Sequence, residues 1–143
     1  PHMMKEYYGN PEETALTIKD GYIHTGDIGL LDEEGFLRIA DRKKDVIFVK
    51  GFNVFPREVE EELLSHSFIS GACVVGKQDT RSGEVPIAFV TLSKSIDVSK
   101  IKEYCDQTLL PYKVPSEIII LDQLPLTPAK KLDRMALKRK LNS

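Results

Sequence analysis

The sequence has few cysteines, little net charge and no long apolar run, and each absence excludes a class of protein. Its two cysteines, Cys73 and Cys105, have no second cysteine or histidine at metal-ligand spacing, so we interpret them as reduced core thiols. A net charge of −2 provides no overall attraction to nucleic acid or to an anionic membrane. The longest apolar runs, such as VIFV and IIIL, are too short to cross a bilayer. Because no secretory signal opens the sequence, we expect a cytoplasmic protein without a transmembrane segment, with a peripheral membrane location as the alternative.

Length and composition predict a folded chain with one main domain and an appendage. The 143 residues are 41% apolar and 29% charged, which are ordinary globular values. The opening residues 1–3, PHM, are interpreted as a remnant of tag cleavage, so the native sequence is expected to begin within a longer gene.

Short apolar runs separated by turn residues predict strands in the first part of the chain. The runs IGLL, FLRIA and VIFVK predict a small β-meander, which follows a short helix that begins at Pro11. The charged segment DRKKD lies between the last two runs and predicts a domain boundary near Lys44.

From Pro56 onward the pattern predicts a helix, two β-rich stretches, a helix, a strand and a terminal helix. The polar turn DTRSGE joins the two stretches, Asp97 is an expected N-cap, and the last helix is expected from about Asp133. We therefore predict an α+β fold in which a small β-meander or hairpin precedes a compact three-stranded sheet with packed helices.

The segment LPLTPAKKLDR places Lys130 and Lys131 just before the predicted terminal helix. The N-terminus of a helix favours anions, so cations are poorly placed there unless a phosphate or carboxylate binds between them. The alternative interpretation is that both lysines are solvated loop residues.

Four motifs, GYIHTGDIG, DRKKDVIFVKGFNVFPREVE, YKVP and LPLTPAKKLDR, occur in an order that resembles the AMP-forming acyl-CoA synthetases of the adenylate-forming superfamily. The resemblance covers nearly all of the chain after residue 3 and is greatest for the fatty-acyl-CoA ligases. It implies that residues 4–43 are the tail of a large N-terminal adenylation domain and that residues 44–143 are a mobile C-terminal domain.

The resemblance implies a reaction in two steps. ATP and a carboxylic acid, here expected to be a fatty acid, form an acyl-adenylate and pyrophosphate, and the thiol of coenzyme A then displaces AMP. ATP and coenzyme A are the implied substrates, and Mg²⁺ would accompany ATP with its ligands outside this sequence. The implied partner is the N-terminal adenylation domain of the same chain, and no nucleic acid is expected. Because the phosphate loop and acyl pocket of the family lie in that domain, we expect these 143 residues alone to be inactive.

Two residues of the first motifs correspond to nucleotide contacts of the family. Asp27, in HTGD, is implied to bind the ribose hydroxyls of ATP, for which two carboxylate oxygens are suited. Arg42 is implied to contact the nucleotide near the ribose, and Lys44 falls at the hinge of the family. Without the resemblance, Asp27 is more simply a turn residue and Arg42 a solvated one.

The last motif implies that Lys131 is the catalytic lysine, which bridges the carboxylate and the α-phosphate as negative charge builds between them. The family usually has glycine where this chain has Lys130, so a positive φ there would strain the loop and leaves open which lysine reaches the phosphate. Lys50, Gly51 and Phe52 are implied, more weakly, to line the path of coenzyme A, and a plain turn is the alternative.

Two other functions remain open from the sequence. One is an anion- or nucleic-acid-binding module that uses Lys130, Lys131 and a basic C-terminal segment. The other is a degenerate, non-catalytic interaction domain. The basic C-terminal segment consists of Arg134, Lys138, Arg139 and Lys140, for which a solvated helix face is the simpler interpretation.

Overall fold

A computed structural model describes residues 3–142, which form two compact units. The first unit ends at Lys44 and the second begins at Asp45, so the division falls within the charged segment DRKKD. Pro1 and His2, part of the predicted tag remnant, lie outside the described residues. Among residues 3–142 no helix is both long and apolar enough to cross a membrane.

The first unit consists of one short helix and two small hairpins. Asn10 caps the helix by accepting a hydrogen bond from the Glu13 N–H, and Pro11 occupies its first position. In the second hairpin the Asp32 carboxylate accepts from the N–H groups of Glu34 and Phe36 and closes the turn. The elements are α1 (Pro11–Thr17), β1 (Ile18–Lys19), β2 (Tyr22–Ile23), β3 (Asp27–Leu31) and β4 (Leu37–Arg42).

The second unit is a five-stranded sheet with helices on both faces. Its strands lie in the order β6 (Phe52–Val54), β5 (Ile47–Val49), β8 (Gly83–Leu92) and β7 (Ile69–Asp79), and β9 (Glu117–Ile120) pairs with β8 in parallel. The β7–β8 hairpin turns at the predicted DTRSGE segment and runs in antiparallel register from Ile69 and Leu92 to Asp79 and Gly83. The elements are β5 (Ile47–Val49), β6 (Phe52–Val54), α2 (Pro56–Ser65), β7 (Ile69–Asp79), β8 (Gly83–Leu92), α3 (Val98–Thr108), β9 (Glu117–Ile120) and α4 (Arg134–Leu141).

Alternation along β7 and β8 divides the core into two layers. Val74 and Val90 belong to the layer that also contains residues of α2 and α3. Cys73 and Phe89 belong to the opposite layer with Leu137 of α4. Burial raises the pKa of the Cys73 thiol to about 12 and that of Cys105 to about 11, which suits inert core residues.

The α+β class is confirmed, whereas the strand assignment needs two corrections. The run VIFVK does not complete a meander with β3 and β4, because Ile47 and Val49 are buried in the core of the second unit. The sheet accordingly has five strands rather than three, since β5 and β6 join the predicted three. Side-chain burial in a distant core decides the sheet to which a three-residue strand belongs.

Candidate functional site

The predicted catalytic lysine lies in a tight hairpin, residues 126–132, which we call the lysine hairpin. Leu126 and Leu132 form an isolated antiparallel bridge at its base. The Thr127 N–H donates to the Lys131 carbonyl at 2.7 Å, and the Lys130 N–H donates to the Thr127 carbonyl at 2.8 Å. The Lys131 N–H donates to the Thr127 hydroxyl at 3.2 Å. These bonds enclose a three-residue loop that ends at Lys130, and both Lys130 and the following Lys131 are exposed.

Lys130 has a left-handed backbone, with φ of 58°. Three-residue hairpin loops place their last residue in this region, and glycine is favoured there because a Cβ costs about 1–2 kcal/mol. Lys130 therefore has the positive φ, and with it the backbone strain, that we considered for this position from the sequence. Lys131, which follows it, is exposed, so both amines belong to the accessible surface of the second unit.

Asp27 and Arg42, the two predicted nucleotide ligands, are brought together in the first unit. They are opposite each other in the register of β3 and β4, and Arg42 Nε lies 3.1 Å from Asp27 Oδ1. The Arg42 side chain is 56% exposed and that of Asp27 29%. The carboxylate can accept hydrogen bonds from a ligand while the guanidinium donates hydrogen bonds to the same ligand. Two hydroxyl groups on adjacent carbons can use both kinds of contact.

Lys44, the predicted hinge, lies in a one-turn 3₁₀ helix, Lys43–Asp45, at the division between the two units. Its side chain is exposed. Its place at this division agrees with a hinge, and motion about it stays a prediction.

Lys50 and Gly51 form the two-residue turn between β5 and β6, which we call the Gly51 turn. Their φ values of 51° and 86° are those of a type I′ hairpin, which explains the glycine by conformation. The Phe52 ring, 54% exposed, stacks on Tyr112 of the YKVP motif with centroids 4.6 Å apart. A mostly apolar cavity of about 370 Å³ is lined by Val49, Lys50 and Tyr112 among others. This surface can accept an extended, partly apolar ligand.

The structure also contains a buried ion pair that the sequence reading missed. The sequence predicts Arg134 as one cation of the basic C-terminal segment and gives no sign that Glu60 is its partner. Glu60 is instead only 7% exposed, and its two carboxylate oxygens accept from the two terminal nitrogens of Arg134. The residues are 74 positions apart, so local pattern offers no signal for the pair.

The contacts with Glu60 favour the charged form of Arg134. Burial acts to lower the pKa of Arg134, but hydrogen bonds and charge attraction to Glu60 raise it overall above its ordinary value. Arg134 is therefore a partly buried cation paired with Glu60 and does not belong to the exposed basic surface predicted for the C-terminal segment.

No group of three His, Cys, Asp or Glu side chains within residues 3–142 is arranged to hold a metal ion. The expected Mg²⁺ was assigned to ATP and to ligands outside this sequence, so its presence in the full-length protein stays a prediction.

Comparison with known proteins places this geometry among adenylate-forming ligases. The family described as AMP-binding enzyme C-terminal domain matches residues 58–131. The chain is 42% identical over 139 residues to 2-succinylbenzoate–CoA ligase of Bacillus cereus (strain AH820), which is 97% of this chain and 29% of that protein. It therefore spans less than a third of the curated relatives it matches.

Solved structures agree with the sequence comparison. The o-succinylbenzoate CoA synthetase of Bacillus subtilis, in complex with the acyl-adenylate intermediate OSB-AMP, matches with a TM-score of 0.87 and 37% identity over 98% of this chain and 28% of that one. A Mycobacterium tuberculosis fatty acyl CoA synthetase matches with a TM-score of 0.70 and 36% identity over 95% of this chain and 27% of that one.

Proposed function

Because the chain belongs to the family of AMP-binding enzyme C-terminal domains, we propose that it is the C-terminal part of an AMP-forming ligase. The full-length protein would activate a carboxylic acid with ATP and transfer the acyl group to coenzyme A. The observation that carries this proposal is the lysine hairpin, which presents Lys131 to solvent on a hydrogen-bonded support.

In the first step a carboxylate oxygen attacks the α-phosphorus of ATP, and pyrophosphate leaves. Two anions approach each other, so a cation between them stabilises the transition state more than the separated reactants. The Lys131 ammonium group is a compact point charge on a flexible stem and suits this role. Pro128, at the first loop position, restricts the backbone that delivers it.

Asp27 and Arg42 would bind the nucleotide in the first unit. The Asp27 carboxylate accepts from the ribose hydroxyls, while Arg42, already paired with it, orients that carboxylate and donates to the nucleotide. In the second step the coenzyme A thiol attacks the acyl carbonyl and AMP leaves. The Gly51 turn, with the stacked Phe52 and Tyr112, supplies a surface for the pantetheine arm.

The acid itself is proposed from relatives, because the acyl pocket lies outside this chain. The 42% identity to a 2-succinylbenzoate–CoA ligase favours an aromatic dicarboxylic acid of that kind. The fatty acid expected from the motifs is the second candidate, supported by the likeness to a fatty acyl CoA synthetase.

The test is carboxylate-dependent ATP–pyrophosphate exchange by the full-length protein, with 2-succinylbenzoate and with fatty acids of graded length. Lys131→Ala should lower exchange by about 10²–10³-fold, the typical effect of one lost transition-state donor. Lys100→Ala, at an exposed position of α3, is the matched control and should leave exchange unchanged. Exchange that survives Lys131→Ala would transfer the role to Lys130. Absence of exchange with every acid would overturn the ligase proposal and favour anion binding without chemistry.

A further inference from the structure

Glu60 stands apart from the other acidic residues of α2. Glu58 and Glu61 are exposed on the same helix, but Glu60 is buried against β7, where the Val74 N–H donates to its Oε1 at 2.7 Å. A buried carboxylate is costly unless it is paired and fully hydrogen-bonded. Its burial therefore requires the partner that the structure provides.

Arg134 supplies that partner with a planar fork. Its Nη2 donates to Glu60 Oε2 at 2.8 Å, and its Nη1 donates both to Glu60 Oε1 and, at 2.8 Å, to the Val74 carbonyl. The guanidinium thus binds α2 and β7 simultaneously. A two-pronged contact of this kind fixes orientation as well as distance.

Arg134 also begins α4 directly after the lysine hairpin. The Asp133 N–H donates to the Pro125 carbonyl at 2.9 Å and joins the two legs of the hairpin at its root. The Asp133 carboxylate caps α4 by accepting from the Ala136 N–H at 2.9 Å. The root of the hairpin is therefore continuous with Arg134, three positions after Lys131.

The hairpin has little apolar burial of its own, because Leu126 and Leu132, its bridged pair, are 58% and 38% exposed. Its hydrogen bonds set its internal shape but do not attach it to the sheet. The Glu60–Arg134 pair can therefore attach the root of the hairpin to α2 and β7.

We propose that Glu60 and Arg134 are positioning residues that hold the root of the lysine hairpin and so place the Lys131 ammonium group for adenylation. This inference rests on the proposed function, since it assigns the pair to the step in which Lys131 acts. Replacement of a buried ion pair by apolar residues of the same volume is often neutral for stability, so net stabilisation is not the role that we assign to this pair. Orientation of the lysine is the property that the pair supplies.

The experiment compares both half-reactions in the full-length protein. Arg134→Lys keeps the positive charge and removes the planar guanidinium. The double variant Glu60→Leu/Arg134→Met replaces the pair by apolar groups, so it leaves no unpaired buried charge that could unfold the protein. ATP–pyrophosphate exchange reports adenylation, while release of AMP from supplied acyl-adenylate by coenzyme A reports thioester formation. We expect exchange to fall about ten- to a hundredfold, the effect of a small displacement of a reacting group. Release of AMP should stay within about twofold of wild type, because that step does not use Lys131.

Glu61→Gln is the matched control, since it alters an exposed ion pair with Arg57 on the same helix and should change neither half-reaction. Amide hydrogen exchange gives a second readout that needs no substrate. Amides of residues 126–132 should exchange faster in the Arg134 variants, while those of β7 and β8 should not.

Loss of both half-reactions in equal measure would assign the pair to general stability and overturn the inference. Unchanged ATP–pyrophosphate exchange in both variants would also overturn it. Absence of ATP–pyrophosphate exchange in the wild-type protein would instead overturn the proposed function. In that case unaltered amide exchange across residues 126–132 in the variants would separately overturn the attachment of the hairpin by Arg134.

Discussion

The Gly51 turn and the lysine hairpin each place a lysine in the left-handed backbone region, yet different structures support them. Lys50 has φ of 51° and Lys130 φ of 58°. The Gly51 turn lies between two strands of the main sheet, and the Lys50 N–H donates to the Ser82 carbonyl at 2.8 Å. The lysine hairpin lies outside the five-stranded sheet, and its root is continuous with Arg134. The same left-handed backbone is therefore supported by strand pairing at Lys50, whereas at Lys130 it lies in a hairpin that adjoins the Glu60–Arg134 pair.

The unfolding free energy should respond more strongly to substitution of Gly51 than to substitution of Lys130. Gly51→Ala forces a Cβ into a backbone with φ of 86°, although no atom lies within 4 Å of the added carbon. The cost should be conformational, about 1–2 kcal/mol of unfolding free energy, measured by urea denaturation. Asn53→Ala, at an exposed position of β6, is the control. A variant as stable as wild type would contradict the type I′ assignment.

Substitution of Lys130 by glycine should change the unfolding free energy in the opposite direction. Lys130→Gly relieves the left-handed strain, which outweighs the added flexibility of the unfolded chain, and should raise the unfolding free energy by up to about 1 kcal/mol. ATP–pyrophosphate exchange should persist because Lys131 remains. Loss of exchange comparable with that of Lys131→Ala would identify Lys130 as the cation and reverse our assignment.

The smallest expected effect is on stability at acid pH and involves Asp79, which contacts Ser82 beside the Gly51 turn. Asp79 Oδ2 accepts from the N–H groups of Ser82, at 2.7 Å, and Arg81, and the bond from Ser82 is the main cause that lowers the pKa of Asp79. Because the folded pKa is below the unfolded value, the stabilisation is complete above the unfolded pKa and is lost as pH falls through the folded pKa. Wild type should therefore lose slightly more stability below about pH 4 than Asp79→Asn does. Urea denaturation across that pH range measures the difference, and parallel curves for the two proteins would contradict it.

Local chemistry explains the predictions that the structure agrees with. Pro56 begins α2 and the DTRSGE turn joins β7 and β8, as helix-start and turn preferences indicate. Asp97 occupies the predicted N-cap position of α3, but its side chain makes no capping hydrogen bond. Each of these depends on residues within a few positions of one another. The α+β class followed because such signals set the order of the elements.

Contacts between distant residues explain the errors. The segment VIFVK has the same pattern whether it joins β4 or the main sheet, and only the burial of Ile47 and Val49 in the second unit decides. Glu60 and Glu61 are adjacent acids, and nothing local shows that the first is buried and the second exposed. Arg134 looked like one cation of a basic segment because its partner lies on another helix.

The sequence by itself determined which residues are candidates for the chemistry: the motifs predict roles for Asp27, Arg42 and Lys131, and the resemblance indicated that glycine is usual where this chain has Lys130. The tertiary structure alone decided that Asp27 and Arg42 pair across a hairpin and that Arg134, which follows the lysine hairpin, pairs with Glu60 of α2. The reason is physical. Backbone preferences act over a few residues, whereas burial and charge pairing depend on which surfaces meet once the chain has folded.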